Sequence, residues 1–201
     1  MQTSMQRWGA IGVLCALAAC GGGGDAPATS AAPAPGPAPT PAAAPVPVPV
    51  GASALSTCNL PDFVAGAMSR INQWRASGAD CGVHGRFAAT TPLAWSNTLT
   101  RAADAHSLDM VAHNLFSHTG SDGSDPGRRI TAAGYAWSTW GENIAAGQAT
   151  IDAVVDGWID SDGHCVNLMN PAFSEVGLAC VSGTASTSFR TYWTMDLAAP
   201  R

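Results

Sequence analysis

Residues 176–197 read VGLACVSGTASTSFRTYWTMDL, and the spacing of their apolar side chains is the clearest fold signal in the chain. Side chains two residues apart share a face of a β-strand, and the Ser, Thr and Gly of residues 182–188 suit a hairpin loop. The pattern therefore predicts two antiparallel strands. Their core-facing positions would be Val176, Leu178 and Cys180, then Phe189, Thr191, Trp193, Met195 and Leu197, alternating with Gly177, Arg190, Tyr192 and Asp196.

Helical patterns precede this hairpin. Apolar side chains at helical spacing predict helices over residues 61–74 and from about 92 to 114, and Thr150 is placed to cap a third helix. Asp125 followed by Pro126 suits the N-cap and first position of a short helix that ends before Gly134. Helices followed by a short antiparallel sheet predict an α+β domain.

The charge composition excludes several functions. The 201 residues include 14 acidic and 9 basic side chains, for a net charge of −5, and all nine basic residues are Arg. Without Lys, the chain has neither a P-loop lysine nor a Schiff-base lysine. An acidic chain also offers no electrostatic attraction for nucleic acid, so we expect no nucleic-acid partner.

Residues 1–19 have the composition of an export signal. A basic start at Arg7 precedes a short apolar run, and Leu17-Ala18-Ala19-Cys20 resembles the lipobox of bacterial lipoproteins. This predicts a lipoprotein-type signal peptide, with Cys20 as the lipid anchor that holds the protein to the membrane. The alternative is an ordinary signal peptide that is cleaved without lipid attachment, in which case Cys20 is not an anchor. If the source has two membranes, Gly21 favours the outer membrane or cell surface.

Residues 20–57 form a segment rich in Gly, Ala and Pro, with nine Ala and nine Pro between residues 26 and 50. Such a segment cannot bury a core and favours extended polyproline geometry. We interpret it as a lipid-anchored stalk, with a Pro-rich ligand for another domain as the alternative. The remaining residues, 58–201, then form one domain.

Four cysteines remain in this domain: Cys58, Cys81, Cys165 and Cys180. An even number in an exported domain suggests two disulfides, and three pairings exist. Closure of the shorter loops favours Cys58 with Cys81 and Cys165 with Cys180. A zinc site is the rival interpretation, although no C-x-x-C pair is present.

The histidines differ in their surroundings. His106 and His113 lie about 10 Å apart along one predicted helix, which is too far for them to share a metal. We interpret them as helix histidines that are either hydrogen-bonded within the protein or exposed to solvent. His118 begins a turn-rich loop, and His164 directly precedes Cys165. Glu142 stands between a Gly and an apolar stretch, which is unusual for a solvated carboxylate.

Several motifs occur in an order that resembles one protein family. They are Leu93-x-Trp95, Phe116-Ser117-His118-Thr119-Gly120-Ser121-Asp122-Gly123, Arg129, Gly134-Tyr135, Gly141-Glu142-Asn143-Ile144-Ala145, Trp158-x-x-Ser161-x-Gly163-His164-x-x-Asn167, Glu175-Val176-Gly177 and Tyr192-Trp193-Thr194. The order resembles the bacterial branch of the CAP superfamily, relatives of the cysteine-rich secretory, antigen 5 and pathogenesis-related proteins, whose domain is also called SCP. The resemblance covers about residues 65–197 and implies a three-layer α-β-α sandwich with a small antiparallel sheet and a central cleft.

The resemblance also implies site residues. The family's cleft carries two His and two acidic residues that hold a divalent metal in some members. Matching the motifs assigns His118, Glu142 and His164 to three of these places, while Ser161 replaces the fourth carboxylate. These three residues are the candidate ligands of a metal such as zinc and the candidate catalytic residues, and Ser124 or Ser161 is a candidate nucleophile.

Three functions follow from these patterns. The first is an extracytoplasmic, membrane-tethered protein that binds a lipid-like small molecule, an envelope component or a protein partner in its cleft. The second is a metal-assisted hydrolase, a protease or esterase, in which the metal would activate a water molecule. The third is a structural envelope protein with a vestigial cleft.

Overall fold

The computed structural model describes residues 55–201, so the predicted signal, Cys20 and most of the stalk lie outside the described residues. The described chain is a mixed α and β domain, which confirms the predicted class. Its helices are α1 (Phe63–Ser77), α2 (Asn97–Ala112), α3 (Pro126–Ala132), α4 (Ile151–Ile159) and α5 (Asp162–Met169), with a 3₁₀ turn at Gly82–His84. Its strands are β1 (Ala79–Asp80), β2 (Arg86–Phe87), β3 (Ala94–Trp95), β4 (Trp137–Ala146), β5 (Glu175–Ser182) and β6 (Thr191–Pro200).

The main sheet has the strand order β3-β5-β6-β4. Strands β5 and β6 form the predicted hairpin, with Val176 opposite Leu197 and Cys180 opposite Trp193. Strand β4 pairs antiparallel with β6 and forms one edge, while β3 pairs parallel with β5 at the other. Strands β1 and β2 form a separate two-stranded sheet.

Helices cover both faces of the main sheet. On one face, Ser107 of α2 bonds Thr194 of β6 at 2.8 Å, and a Cβ on Gly177 would collide with the α2 backbone at Thr100. On the other face, Phe63 of α1 stacks on Trp193 with ring centroids 6.0 Å apart. This arrangement gives the expected α-β-α layers.

Burial on both faces corrects one part of the strand prediction. The alternation predicts Tyr192 and Asp196 on the polar side of the hairpin, yet both are fully buried. Alternation indicates an exposed face only where a sheet has one solvated side, and here α2 covers the second side.

The predicted helix starts are correct where a capping side chain marks them. Thr150 accepts a hydrogen bond from the Ala153 amide at 3.1 Å at the start of α4, and Asp125 accepts one from the Arg128 amide at 2.9 Å. Helix α2 begins later than predicted because β3 takes up Ala94–Trp95. The sequence patterns predict neither strand β4 nor helix α5.

The disulfide prediction is wrong. The bonds join Cys58 to Cys180 and Cys81 to Cys165, across sequence separations of 122 and 84 residues. Thr57 forms a parallel bridge to Cys180, and the Cys180 amide donates to Ser56 O at 2.9 Å. Strand pairing thus brings Cys58 to β5, so tertiary contacts and not loop length decide the partner.

Arg75 is a fully buried cation of α1 that has no acidic partner among residues 55–201. Its guanidinium donates to the carbonyls of Thr91 and Leu168 at 2.7 and 2.8 Å, and to those of Asn170 and Phe173 at 3.1 and 3.3 Å. Burial lowers the pKa of this guanidinium. The side chain thereby fixes α1 to the end of α5, where the carbonyls of a helix favour a cation.

Candidate functional site

Glu142 is the centre of the candidate site. It lies on β4, is 5% exposed, and faces Asp196 directly across the β4–β6 pair. Its two carboxylate oxygens have different partners: Oε1 bonds His118 Nδ1 at 2.7 Å, and Oε2 accepts from Arg129 at 2.6 Å. We call the space around His118, Arg129, Glu142 and His164 the histidine cleft.

Arg129 connects α3 both to the loop that contains His118 and Ser124 and to strand β4 of the sheet. Besides the bond to Glu142, its guanidinium donates to Ser124 O at 2.9 Å and to His118 O at 3.0 Å. Its side chain is 10% exposed, and that of Glu142 is 1% exposed. A pair with so little exposed surface is only weakly screened by salt.

Two further titratable groups lie beneath Glu142. His106 of α2 is fully buried, donates from Nε2 to Ser117 O at 2.9 Å, and lies 4.0 Å from Glu142 Oε1. Burial lowers the pKa of His106, so its imidazole is neutral. Burial, together with the negative charge of Glu142, raises the pKa of Asp196 well above the usual range, which favours the protonated carboxyl.

His164 lies at the start of α5, beside the mouth of the cleft. Its Nδ1 is 2.9 Å from the Ser161 hydroxyl oxygen, and its backbone carbonyl accepts from Asn143 at 3.0 Å. Burial lowers the pKa of His164, and the nearby His118 lowers it further. Asn167 donates to Glu142 O at 3.1 Å, which fixes α5 against β4.

An apolar groove adjoins the cleft along the outer edge of β4 and has a volume of about 310 Å³. Two of its side chains are large and exposed: Phe116 at 48% and Phe189 at 39%. Ser161 and His164 stand among the polar lining residues. The full lining is Phe116, Ile144, Ala145, Ala146, Gln148, Val154, Gly157, Trp158, Ser161, His164 and Phe189.

A second, larger groove of about 590 Å³ lies at the start of β4 between Trp137, Trp140 and α3. Two of its polar side chains have structural partners, since Asp125 caps α3 and Thr131 accepts from the Trp137 indole at 2.9 Å. It holds none of the candidate site residues, whereas Ser161 and His164 line the smaller groove.

The structure brings together the residues predicted from the family motifs. His118 contacts Glu142 directly, and His164 lies close enough for His118 to affect its pKa.

The sequence patterns miss Asp196 and His106 as members of the site. The sequence signal that could have identified Asp196 as a site residue is a single acidic residue in an otherwise apolar strand. His113 is exposed and lies 2.9 Å from Asp109, away from the cleft partners.

The predicted three-ligand metal site does not fit this arrangement. Both Glu142 oxygens already have close partners, one of them the Arg129 cation. Among residues 55–201, no cluster of three or more His, Cys, Asp or Glu side chains has metal-binding geometry.

Comparisons with known proteins agree on the fold. The model of the cysteine-rich secretory protein family, CAP, matches residues 68–197. The uncharacterised protein YkwD of Bacillus subtilis strain 168 is 39% identical over 90 residues, which cover 45% of this chain and 35% of YkwD. The chain thus spans about a third of the length of this relative.

Solved structures give the same result. An extracellular SCP-domain protein from Bacillus anthracis is similar with a TM-score of 0.50 and 28% identity, covering 67% of this chain and 40% of that one. An outer surface protein from Borrelia burgdorferi has a TM-score of 0.56 at 18% identity, covering 69% of this chain and 92% of the Borrelia protein. Within the described residues, no helix is both long and apolar enough to cross a membrane.

Proposed function

The chain belongs to the CAP family of cysteine-rich secretory proteins, and from this membership we propose that it is an extracytoplasmic protein that binds a single-chain lipid in the apolar groove. The observation that carries the proposal is the composition of the groove. Exposed Phe116 and Phe189 stand at one part of the lining, and Ser161 and His164 supply polar groups at another. Such an arrangement suits a ligand with an apolar chain and a polar end.

The size of the groove is consistent with one acyl chain. Small-molecule sites usually enclose about 300–1,000 Å³ and combine an apolar lining with a few polar groups. At about 310 Å³, the groove lies at the lower end of this range. A large or branched lipid would leave most of its apolar surface in water.

The polar end of the groove is set for hydrogen bonding. His164 has a lowered pKa and is therefore neutral near pH 7, and its Nδ1 already bonds Ser161. A neutral imidazole and a hydroxyl donate to or accept from a lipid headgroup without requiring a counter-charge. We assign the headgroup to Ser161 and His164.

The location outside the cytoplasm is supported by the two disulfides, because disulfides persist in oxidising compartments. The similar proteins described as extracellular or outer-surface also support it. We further propose that a lipid on Cys20 and the stalk of residues 20–57 tether the domain to the envelope, as the sequence predicts. The metal-assisted hydrolase and the structural role stay predictions.

Gly157 allows a sharp test of the groove. It lines the groove from the middle of α4, and a Cβ placed on it meets nothing within 4 Å. Gly157→Leu should fill the groove while improving helix propensity, which is worth about 1 kcal/mol relative to Gly. Gly157→Ala is the matched control, since it gains the same propensity and leaves the groove open.

The measurement is a fluorescence titration of the full chain with cis-parinaric acid. Saturable binding by the wild type and by Gly157→Ala, with at least tenfold weaker binding by Gly157→Leu, would support the proposal. Equal affinity in all three proteins, or no saturable binding by the wild type, would overturn it.

A further inference from the structure

We propose that Arg129 is a built-in cation of the histidine cleft, which keeps the Glu142 carboxylate from acting as a ligand of a divalent metal. Arg129 and Glu142 lie at the base of the cleft, so this role does not depend on lipid binding in the apolar groove. Two features support it: the contacts of Glu142 and the way the fold holds Arg129 in place.

The guanidinium occupies one side of the Glu142 carboxylate. Arg129 donates to Glu142 Oε2 at 2.6 Å, and the other oxygen bonds His118 at 2.7 Å. A metal ion bound by this carboxylate would stand close to a permanent positive charge, because Arg does not lose its proton in proteins. Because Arg129 and Glu142 are both nearly buried, solvent and salt only weakly screen the repulsion between the guanidinium and such a metal ion.

Further contacts anchor Arg129 in this position. It also donates to the carbonyls of Ser124 and His118, at 2.9 and 3.0 Å, and to the Ser124 hydroxyl at 3.5 Å. Moving the guanidinium away from Glu142 would therefore break contacts to the loop as well. Helix α3 itself starts from a fixed point, since Asp125 caps it and Pro126 occupies its first turn.

The consequence is a division of roles within the cleft. Glu142 and Arg129 compensate each other's charge at the base, and Glu142 orients the His118 imidazole through Nδ1. The cleft then offers the imidazoles of His118 and His164 to whatever enters it. Arg129 acts through Glu142 and is therefore a positioning residue. The zinc affinity of the protein measures its effect.

Arg128 provides a matched control for the test. It is the neighbouring residue of the same helix, it is exposed, and only its backbone amide takes part in the α3 cap. Removing the charge of Arg128 changes the net charge of the protein by the same amount as removing that of Arg129. Any difference between the two variants therefore reports the position of the guanidinium.

The experiment is isothermal titration of the full chain with ZnCl₂ at pH 7.5. Arg129→Gln should bind zinc at least tenfold more tightly than the wild type, and Arg128→Gln should match the wild type. Adding Glu142→Gln to the Arg129→Gln protein should abolish the gain in zinc affinity, because the gain requires the Glu142 carboxylate. Circular dichroism of each variant checks that it is folded.

Two results would overturn the proposal. One is a double variant, Arg129→Gln with Glu142→Gln, that binds zinc as tightly as Arg129→Gln, which would show that the gain does not come from the Glu142 carboxylate. The other is an Arg129→Gln protein that folds and binds zinc no more tightly than the wild type. If Arg129→Gln does not fold, Arg129→Met supplies a neutral side chain in its place, with the same expected gain in zinc affinity and the same result overturning the proposal.

Discussion

Glu142 and Asp196 face each other across β4 and β6, two carboxyl groups side by side in a part of the sheet that water barely reaches. The negative charge of Glu142 is compensated by the Arg129 guanidinium, whereas neither oxygen of Asp196 has a hydrogen-bond partner among the described residues. Burial and the charge of Glu142 raise the pKa of Asp196. The folded domain therefore binds a proton at Asp196 more tightly than the unfolded chain does.

This proton makes stability depend on pH in a defined direction. The unfolded chain releases it above a pKa of about 3.9, while the folded protein keeps it to a much higher pH. The contribution of Asp196 is therefore fully present below about pH 3.9 and is lost as pH rises toward the folded pKa. Asp196→Asn should have a higher free energy of unfolding than the wild type near pH 7, with a difference that shrinks on acidification.

Urea unfolding of both proteins between pH 4 and 8 measures this difference. A difference between the two proteins that stays constant with pH, or that grows on acidification, would contradict the raised pKa of Asp196.

The buried guanidinium of Arg75 gives a second prediction. Arg75→Met removes the donor for four carbonyls at the junction of α1 and α5. The free energy of unfolding should fall by about 3 kcal/mol or more, because one buried carbonyl left unpaired costs about 1–3 kcal/mol. Exposed Arg190→Met is the control and should stay within about 0.5 kcal/mol of the wild type. Equal stabilities in urea would contradict the prediction.

The disulfide connectivity gives a third prediction. Peptide mapping without reduction should recover Cys58 linked to Cys180 and Cys81 linked to Cys165. Changing Cys58 and Cys180 together to Ala should lower the free energy of unfolding by about 5 kcal/mol, the chain-entropy value for a loop of this length. A peptide that joins Cys58 to Cys81 would show that the connectivity is different.

The fourth prediction concerns the length of the bound lipid. Each methylene that enters the groove should add about 0.8 kcal/mol, or about fourfold in affinity. Displacement of cis-parinaric acid by saturated fatty acids should therefore strengthen with chain length and then reach a plateau once the groove is full. Affinity that does not change with chain length would place the apolar chain outside the groove.

Local signals in the sequence are sufficient for the parts of the fold that a few neighbouring residues determine. Thr150 and Asp125 are examples, because an N-cap contacts amides only three residues further along. The order of family motifs assigns His118, Glu142 and His164, and the structure brings them to one cleft.

The errors lie where distant packing decides. The alternation predicts a polar face at Tyr192 and Asp196 because the sequence of a strand does not say that a helix such as α2 covers it. The pairing of Cys58 with Cys180 depends in the same way on a strand contact between segments 122 residues apart. The Arg129–Glu142 pair joins a helix to a strand that the sequence patterns do not predict.

The bond from Cys58 to Cys180 also has a mechanical meaning. Strand β5 lies in the interior of the main sheet, between β3 and β6. A pulling force applied through the chain before residue 55 reaches this strand through a covalent bond soon after it enters the domain. The force then bypasses α1, and an oxidised domain should resist extension from its N-terminal end until the sheet itself shears.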